Sequence, residues 1–255
     1  MPLMLLLLLA LLPSLPLQAQ EPVHARPLTA CGHPESPPLS WVQDGELIGI
    51  TPHLARKLLA EHGYSVNMQV FGNWERCQLA ARQGKVDLIL AAYKTRRREQ
   101  DFVFSTPPIV AEPVVLFTHF GNGNQSPWNL SDKTLGMLFG DSFGDDFDQA
   151  AARHPHVERV STGEQNFHKL ALGRIDYMPI GLGTGKLQAQ KFGLTGQVFA
   201  LPDLVTLEHY HLTLPKGSIL EPLLPALSAQ LQALIDDHYI ERITPYFERR
   251  YLDTP

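Results

Sequence analysis

Residues Asn73 to Ser105 read NWERCQLAARQGKVDLILAAYKTRRREQDFVFS, and the order of signals in that run decides the fold. Trp74 to Gln83 carries an amphipathic helix pattern, a Gly84-Lys85-Val86-Asp87 turn follows, Val86 to Ala91 is an apolar run of strand length, and Arg96, Arg97 and Arg98 come just beyond it. A helix leading into a buried strand is half of a parallel α/β unit. In open α/β sheets ligands bind in the crevice beyond the carboxyl ends of the strands. Arginines at that end of a strand point to an anionic ligand.

Upstream, Leu28 to Cys31 reads as a short strand, a proline-rich turn holds Pro34, Pro37 and Pro38, and Asp44-Gly45 is a hairpin signal. A helix begins near Pro52, with Leu54, Leu58 and Leu59 on its apolar face and Gly63 as its stop, and Ser65 to Phe71 alternates as a strand. Downstream the same logic recurs. Thr134 to Phe139, Val157 to Val160 and Ile175 to Ile180 are strands, with helices at Phe143 to Arg153 and Glu164 to Leu172 between them. Gly173-Arg174-Ile175-Asp176 repeats the Gly84 to Asp87 pattern.

These halves predict an α/β chain of two lobes, each with a small mixed sheet and flanking helices. Crossing strands at Val114 to Thr118 and Glu208 to Leu214 join them as a two-strand hinge. The first lobe takes residues 26–115 with 212–255, the second residues 116–211, and Gly121 to Pro127 reads as a surface loop. The chain returns to the first lobe through a helix with Leu223, Leu227, Leu231, Leu234 and Ile235 on one face.

The amino terminus is an apolar run from Met1 to Leu12, broken at Pro13 and Pro16 and followed by Leu17-Gln18-Ala19. It reads as a signal peptide over residues 1–19, too short for a membrane span of about 20 residues. An exported monomer in the periplasm follows. Leu28-Thr29-Ala30-Cys31 has the form of a lipidation box, but Glu21, His24 and Arg26 separate it from the apolar run.

The chain has 26 acidic against 21 basic side chains, which leaves no nucleic-acid footprint. Cys31 and Cys77 are the only cysteines. An even count in an oxidising compartment favours a disulfide; two free thiols or a metal pair are the alternatives, and a lone cysteine pair makes a poor zinc site.

Other motifs lead elsewhere. Gly181-Leu182-Gly183-Thr184-Gly185-Lys186 has the look of a phosphate loop, but Ile180 stands at its first glycine and Leu187 at its magnesium-holding hydroxyl. Among eleven histidines, His154 with His156 and His209 with His211 form pairs, without the further ligands a metal site needs. Neither a metal nor a cofactor is expected.

The ordered set of Asp44 to Gly49, Gly84 to Asp87, Thr95 with Arg98, Phe104-Ser105, Gly173 to Asp176 and Ile240 to Tyr251 resembles the family 3 periplasmic solute-binding proteins, receptors of polar amino-acid ABC importers. The likeness spans Leu28 to Leu252, and the Trp74-Glu75-Arg76-Cys77 variant with Cys31 is similar to a subgroup of unassigned ligands. The resemblance implies a solute-binding, non-enzymatic protein that closes on a small molecule and partners an inner-membrane ABC permease. A sensory receptor and a dehydratase-like enzyme on the same fold are the other readings.

By this resemblance Arg98 is the clamp for a ligand carboxylate, and Ser142 in the Gly140-Asp141-Ser142 loop is a second contact, with Asp141 beside it or capping the following helix. The family's ammonium-binding aspartate falls on Gly181. Its aromatic platform falls on Ser36, with Trp41 as the nearest replacement, and Tyr93 reshapes the pocket. An ordinary α-amino acid would have its ammonium left unpaired there, so the expected ligand is a small carboxylate-bearing solute, an amino acid or a related molecule.

Overall fold

In a computed structural model of the chain, residues 26–120, 122 and 130–253 are described. The signal peptide read at residues 1–19 and, apart from Asn122, the loop read at Gly121 to Pro127 lie outside them.

The first lobe opens with β1 (Leu28–Cys31), then β2 (Glu35–Ser36), β3 (Ser40–Gln43) and β4 (Glu46–Ile48). It continues with α1 (Ile50–Ala60), β5 (Val66–Met68), α2 (Trp74–Arg82), β6 (Leu88–Tyr93) and β7 (Phe102–Phe104). The crossing strand β8 (Val110–His119) leads to β9 (Leu135–Leu138), α3 (Asp145–Arg153), β10 (Val157–Val160), α4 (Gly163–Ala171), β11 (Met178–Gly181) and α5 (Leu182–Lys191). A second crossing strand, β12 (Val198–Pro215), returns to α6 (Leu224–Asp236) and α7 (Tyr239–Asp253).

β1 lies between β5 and β6 as their parallel neighbour, β12 adds antiparallel to β6, and β8 and β11 follow beyond it. The crossing strands are longer than expected and stay hydrogen-bonded from one lobe into the other, so a seven-stranded sheet runs through both. The parallel pair of β9 and β10 hooks on through a bridge between Leu135 and Tyr177. β6 is buried along its whole length, as a strand covered on both faces must be.

Each lobe has its own apolar interior. Leu28, Leu54, Leu58, Leu88, Leu227 and Leu231 meet in the first, and Phe117, Phe167, Leu170 and Ile175 in part of the second. The predicted hairpin joins β3 to β4, with Asp44 and Gly45 at φ 53° and 81°, the positive values such a two-residue turn needs.

The repeated Gly-x-x-Asp segments are structural clasps. Gly84 and Gly173 end their helices at φ 68° and 64°. Three residues on, Asp87 accepts the N–H of Thr29 at 2.9 Å and returns its own to Thr29 O at 2.8 Å. Asp176 does the same with Thr134, at 2.8 and 2.9 Å. Each clasp pins the start of the neighbouring strand and carries a cation, Arg26 in the first lobe and Lys133 in the second.

Cys31 and Cys77 form a disulfide with Cα atoms 5.8 Å apart, tying the end of β1 to α2. Among the described residues no helix is long and apolar enough to cross a membrane.

Candidate functional site

β6 ends at Tyr93, and the chain turns at Thr95, whose Oγ1 accepts the backbone N–H of Arg98 at 3.3 Å. That turn folds Arg98 back under the strand end while Arg96 and Arg97 face solvent. Arg98 is 5 % exposed. Its guanidinium donates to Tyr93 O at 3.1 Å, to Gln78 Oε1 at 3.2 Å and, across the cleft, to Gly140 O at 3.3 Å, with its centre 5.6 Å from the Trp74 ring. All three acceptors are neutral, and among the described residues no carboxylate stands within ion-pair distance. Burial lowers the pKa of Arg98, partly offset by the charges of Asp141 and Asp148. Arginine remains a cation, with donors to spare.

Arg98 lines a cavity of about 50 Å³ between the lobes. The first lobe contributes His33, Glu35, Ser36, Trp74 and Tyr93, the second Leu138, Asp141, Ser142, Phe143, Gly181 and Thr184, and β12 contributes Tyr210. The Tyr93 and Tyr210 rings lie 4.3 Å apart, and Ser36 Oγ is 3.2 Å from the Tyr210 hydroxyl. Room for about four waters suits only a small ligand with the lobes in this position. On the other side of Arg98 a second cavity of about 180 Å³ opens past Gln78, Arg97 and Arg159.

The cleft is bridged by direct contacts. His33 Nε2 meets Asp141 Oδ1 at 3.0 Å, and because His33 Nδ1 accepts the Glu35 N–H at 3.0 Å, the neutral ring donates from Nε2. Gln78 donates to Gly140 O at 3.0 Å, Thr184 to Pro37 O at 2.8 Å and Gln188 to Glu35 O at 3.0 Å. Arg96 pairs with Asp145 at 3.0 Å on the rim. Glu35 accepts the Gly163 N–H at the start of α4, and burial raises its pKa.

Of the residues singled out from sequence, Arg98, Tyr93, Ser142, Asp141 and Gly181 meet around this cavity. Trp41 does not. It is buried in the first-lobe core, edge-on to Phe247 and Tyr251, because its position on β3 turns it toward α7. The aromatic wall comes instead from Trp74, which opens α2 behind the Asn73 cap, and from Tyr210 on the hinge. Ser142 donates its hydroxyl to Asp148, which also accepts the Phe143 N–H at 2.9 Å. That reach back from α3 organises the loop and delays the helix to Asp145, two residues later than its pattern implies. Asp141 therefore serves as the partner of His33 and not as a cap.

The paired histidines are separately engaged: His154 with Lys133 O at 2.6 Å and His211 with Ser105 O at 2.8 Å. The glycine-rich segment folds as α5, with Gly185 pressed on Phe117.

The sequence matches the model of the bacterial extracellular solute-binding proteins, family 3, over residues 28–248. The chain belongs to that family. No curated protein matches the sequence. Among solved structures, this family 3 protein is similar to an amino acid ABC transporter substrate-binding protein, AbpA, from Streptococcus pneumoniae bound to L-arginine. The two are 17 % identical, with 89 % of this chain and 96 % of that chain covered and a TM-score of 0.76. It is also similar to the arginine-, lysine-, histidine-binding protein ArtJ from Geobacillus stearothermophilus, at 17 % identity, 87 % and 95 % coverage and a TM-score of 0.74. A histidine kinase sensor domain with similarity to periplasmic binding proteins matches at 18 % identity, 87 % and 96 % coverage and a TM-score of 0.76. At such identities the likeness is one of fold. The family is one of solute-binding proteins and not of enzymes.

Proposed function

We propose that this family 3 protein is a periplasmic receptor, exported by its signal peptide, that captures a small carboxylate-bearing solute for an inner-membrane ABC permease. The solute is an amino acid or a close relative. The observation that carries this reading is Arg98: a buried cation lining the interlobe cavity, held by three neutral acceptors and paired with no carboxylate of the described protein. A buried charge without a counter-ion is costly, and a bound carboxylate would both neutralise it and take its remaining N–H donors. Ser142, organised by Asp148, borders the same space. Boundaries at 115/116 and 211/212 fall inside β8 and β12, the strands on which such lobes would swing.

Titration calorimetry at pH 7 with L-amino acids and simple carboxylates tests the reading. Arg98→Ala should weaken the best ligand about 100-fold and Arg98→Lys about tenfold, since lysine keeps the charge but loses the planar fork. An unchanged affinity in Arg98→Ala would defeat it. The likeness to a sensor domain supports a second reading, in which the closed receptor signals to a membrane kinase. Co-purification from detergent with a permease or with a kinase separates the two.

A further inference from the structure

We propose that Glu112, on the hinge strand β8, supplies the carboxylate that recognises a cationic group of the ligand, so that the site takes a small molecule carrying a carboxylate and an amino group. The inference rests on the reading of Arg98 above and adds the second half of the ligand.

Its geometric basis is a notch. Gly181 lines the interlobe cavity where β11 passes into α5. A Cβ built on it would lie 2.5 Å from Glu112 Oε1 and 2.7 Å from Glu112 Cγ, so the space that a side chain at 181 would occupy is filled by the Glu112 carboxylate. Position 181 itself carries no carboxylate, yet one stands directly against it.

That carboxylate is under-used by the protein. Glu112 accepts one hydrogen bond, from the Gly183 N–H at 3.0 Å, and forms no ion pair with any described residue. An ionised carboxylate has about four acceptor positions, most of which are left over. Capping α5 explains one oxygen only, and a serine or aspartate at 181 would cap the same turn without a side chain reaching in from the hinge.

Glu112 stands directly behind Gly181 of the cavity lining. Tyr93 and Tyr210 both line that cavity; burial holds up the pKa of each, followed at Tyr93 by the neighbouring Tyr210, and the charge of Glu112 adds to both. The Tyr93 carbonyl is also an acceptor for Arg98. The cavity thus has a cation at Arg98 and, behind its lining residue Gly181, the carboxylate of Glu112, a polarity complementary to a zwitterion. Burial raises Glu112 to about 7, and a ligand cation beside it would hold it ionised.

The test uses calorimetry on the full mature chain with the proteinogenic L-amino acids of uncharged or acidic side chain, each against its 2-deamino acid. Wild type should bind the best amino acid at least about tenfold tighter than its deamino counterpart, the loss expected for one charge-assisted hydrogen bond. Glu112→Gln keeps an acceptor for Gly183 and should erase that difference, leaving the deamino acid within about twofold of wild type. The wild-type comparison needs no variant and stands even if Glu112→Gln fails to fold. Equal binding of the two acids by wild type, or a preserved difference in Glu112→Gln, overturns the proposal while leaving Arg98 as the clamp; Glu112 is then a helix cap only. Absence of any carboxylate binding overturns both.

Discussion

Gly140 sets how closely the two lobes meet. Its carbonyl accepts from both Gln78 and Arg98, its φ is 85°, and a Cβ there would fall 2.7 Å from the backbone of Glu75 at the start of α2. Gly140→Ala should therefore hold the lobes apart: ligand affinity falls tenfold or more, and small-angle scattering with saturating ligand shows a larger radius of gyration than wild type. Because a positive φ costs alanine only about 1 kcal/mol, the unfolding midpoint without ligand should move little. Single residues were legible where chemistry and position agreed. Arg98 stood out from its two neighbours because the family resemblance puts the carboxylate clamp three positions after Thr95, and the structure buries it there. Trp41 misled because an aromatic residue near the expected platform says nothing about which face of β3 it occupies. Glu112 left no trace at all, since its meaning comes from Gly181, some seventy positions away in sequence and adjacent in space.

α2 is the element on which the site depends most. It brings Trp74 to the cavity wall and Gln78 to the Arg98 guanidinium, and is held to β1 by the Cys31–Cys77 disulfide across a sequence separation of 46. Closing a loop of that length contributes about 2–4 kcal/mol by constraining the unfolded chain. Cys31→Ser with Cys77→Ser should lower the unfolding free energy in urea by that amount, with a smaller loss of ligand affinity as α2 loosens. The order of helices and strands in both lobes was readable because apolar periodicity and glycine stops mark them. The extent of β12 was not: Val198 to Leu207 alternates irregularly, and its register against β8 shifts between Ala200 and Leu204 and again before Thr206. Tertiary pairing extends that strand well beyond what its own pattern signals.

The molecule as a whole repeats one clasp in each lobe, and acid should open both. Burial pushes Asp87 up, but the hydrogen bonds and charge of Arg26 and the Thr29 N–H outweigh it and hold the carboxyl below its ordinary range. Burial likewise opposes the Thr134 N–H, Asn122 and Lys133 at Asp176, with the same net lowering. A carboxyl lower in the folded state stabilises the fold fully above its unfolded pKa of about 3.9, and that stability disappears as pH falls through the folded value. Thermal unfolding should thus drop steeply below pH about 4. Asp87→Asn and Asp176→Asn should each cost about 1 kcal/mol at pH 7, at the low end because the clasps are partly exposed, and should flatten the acid limb. β12 has a further consequence at this scale. It is at once the joint between the lobes and, through Tyr210, part of the cavity wall, beside β8 and its Glu112. In mechanical terms the load is applied at the fulcrum. A ligand that shifts these strands slightly would swing the distant rim, where Lys191 reaches Leu252 O, with no relay of intermediate residues to carry the signal. Substitutions elsewhere in either lobe would change how well the jaws fit, whereas changes in this ribbon would alter the gearing itself.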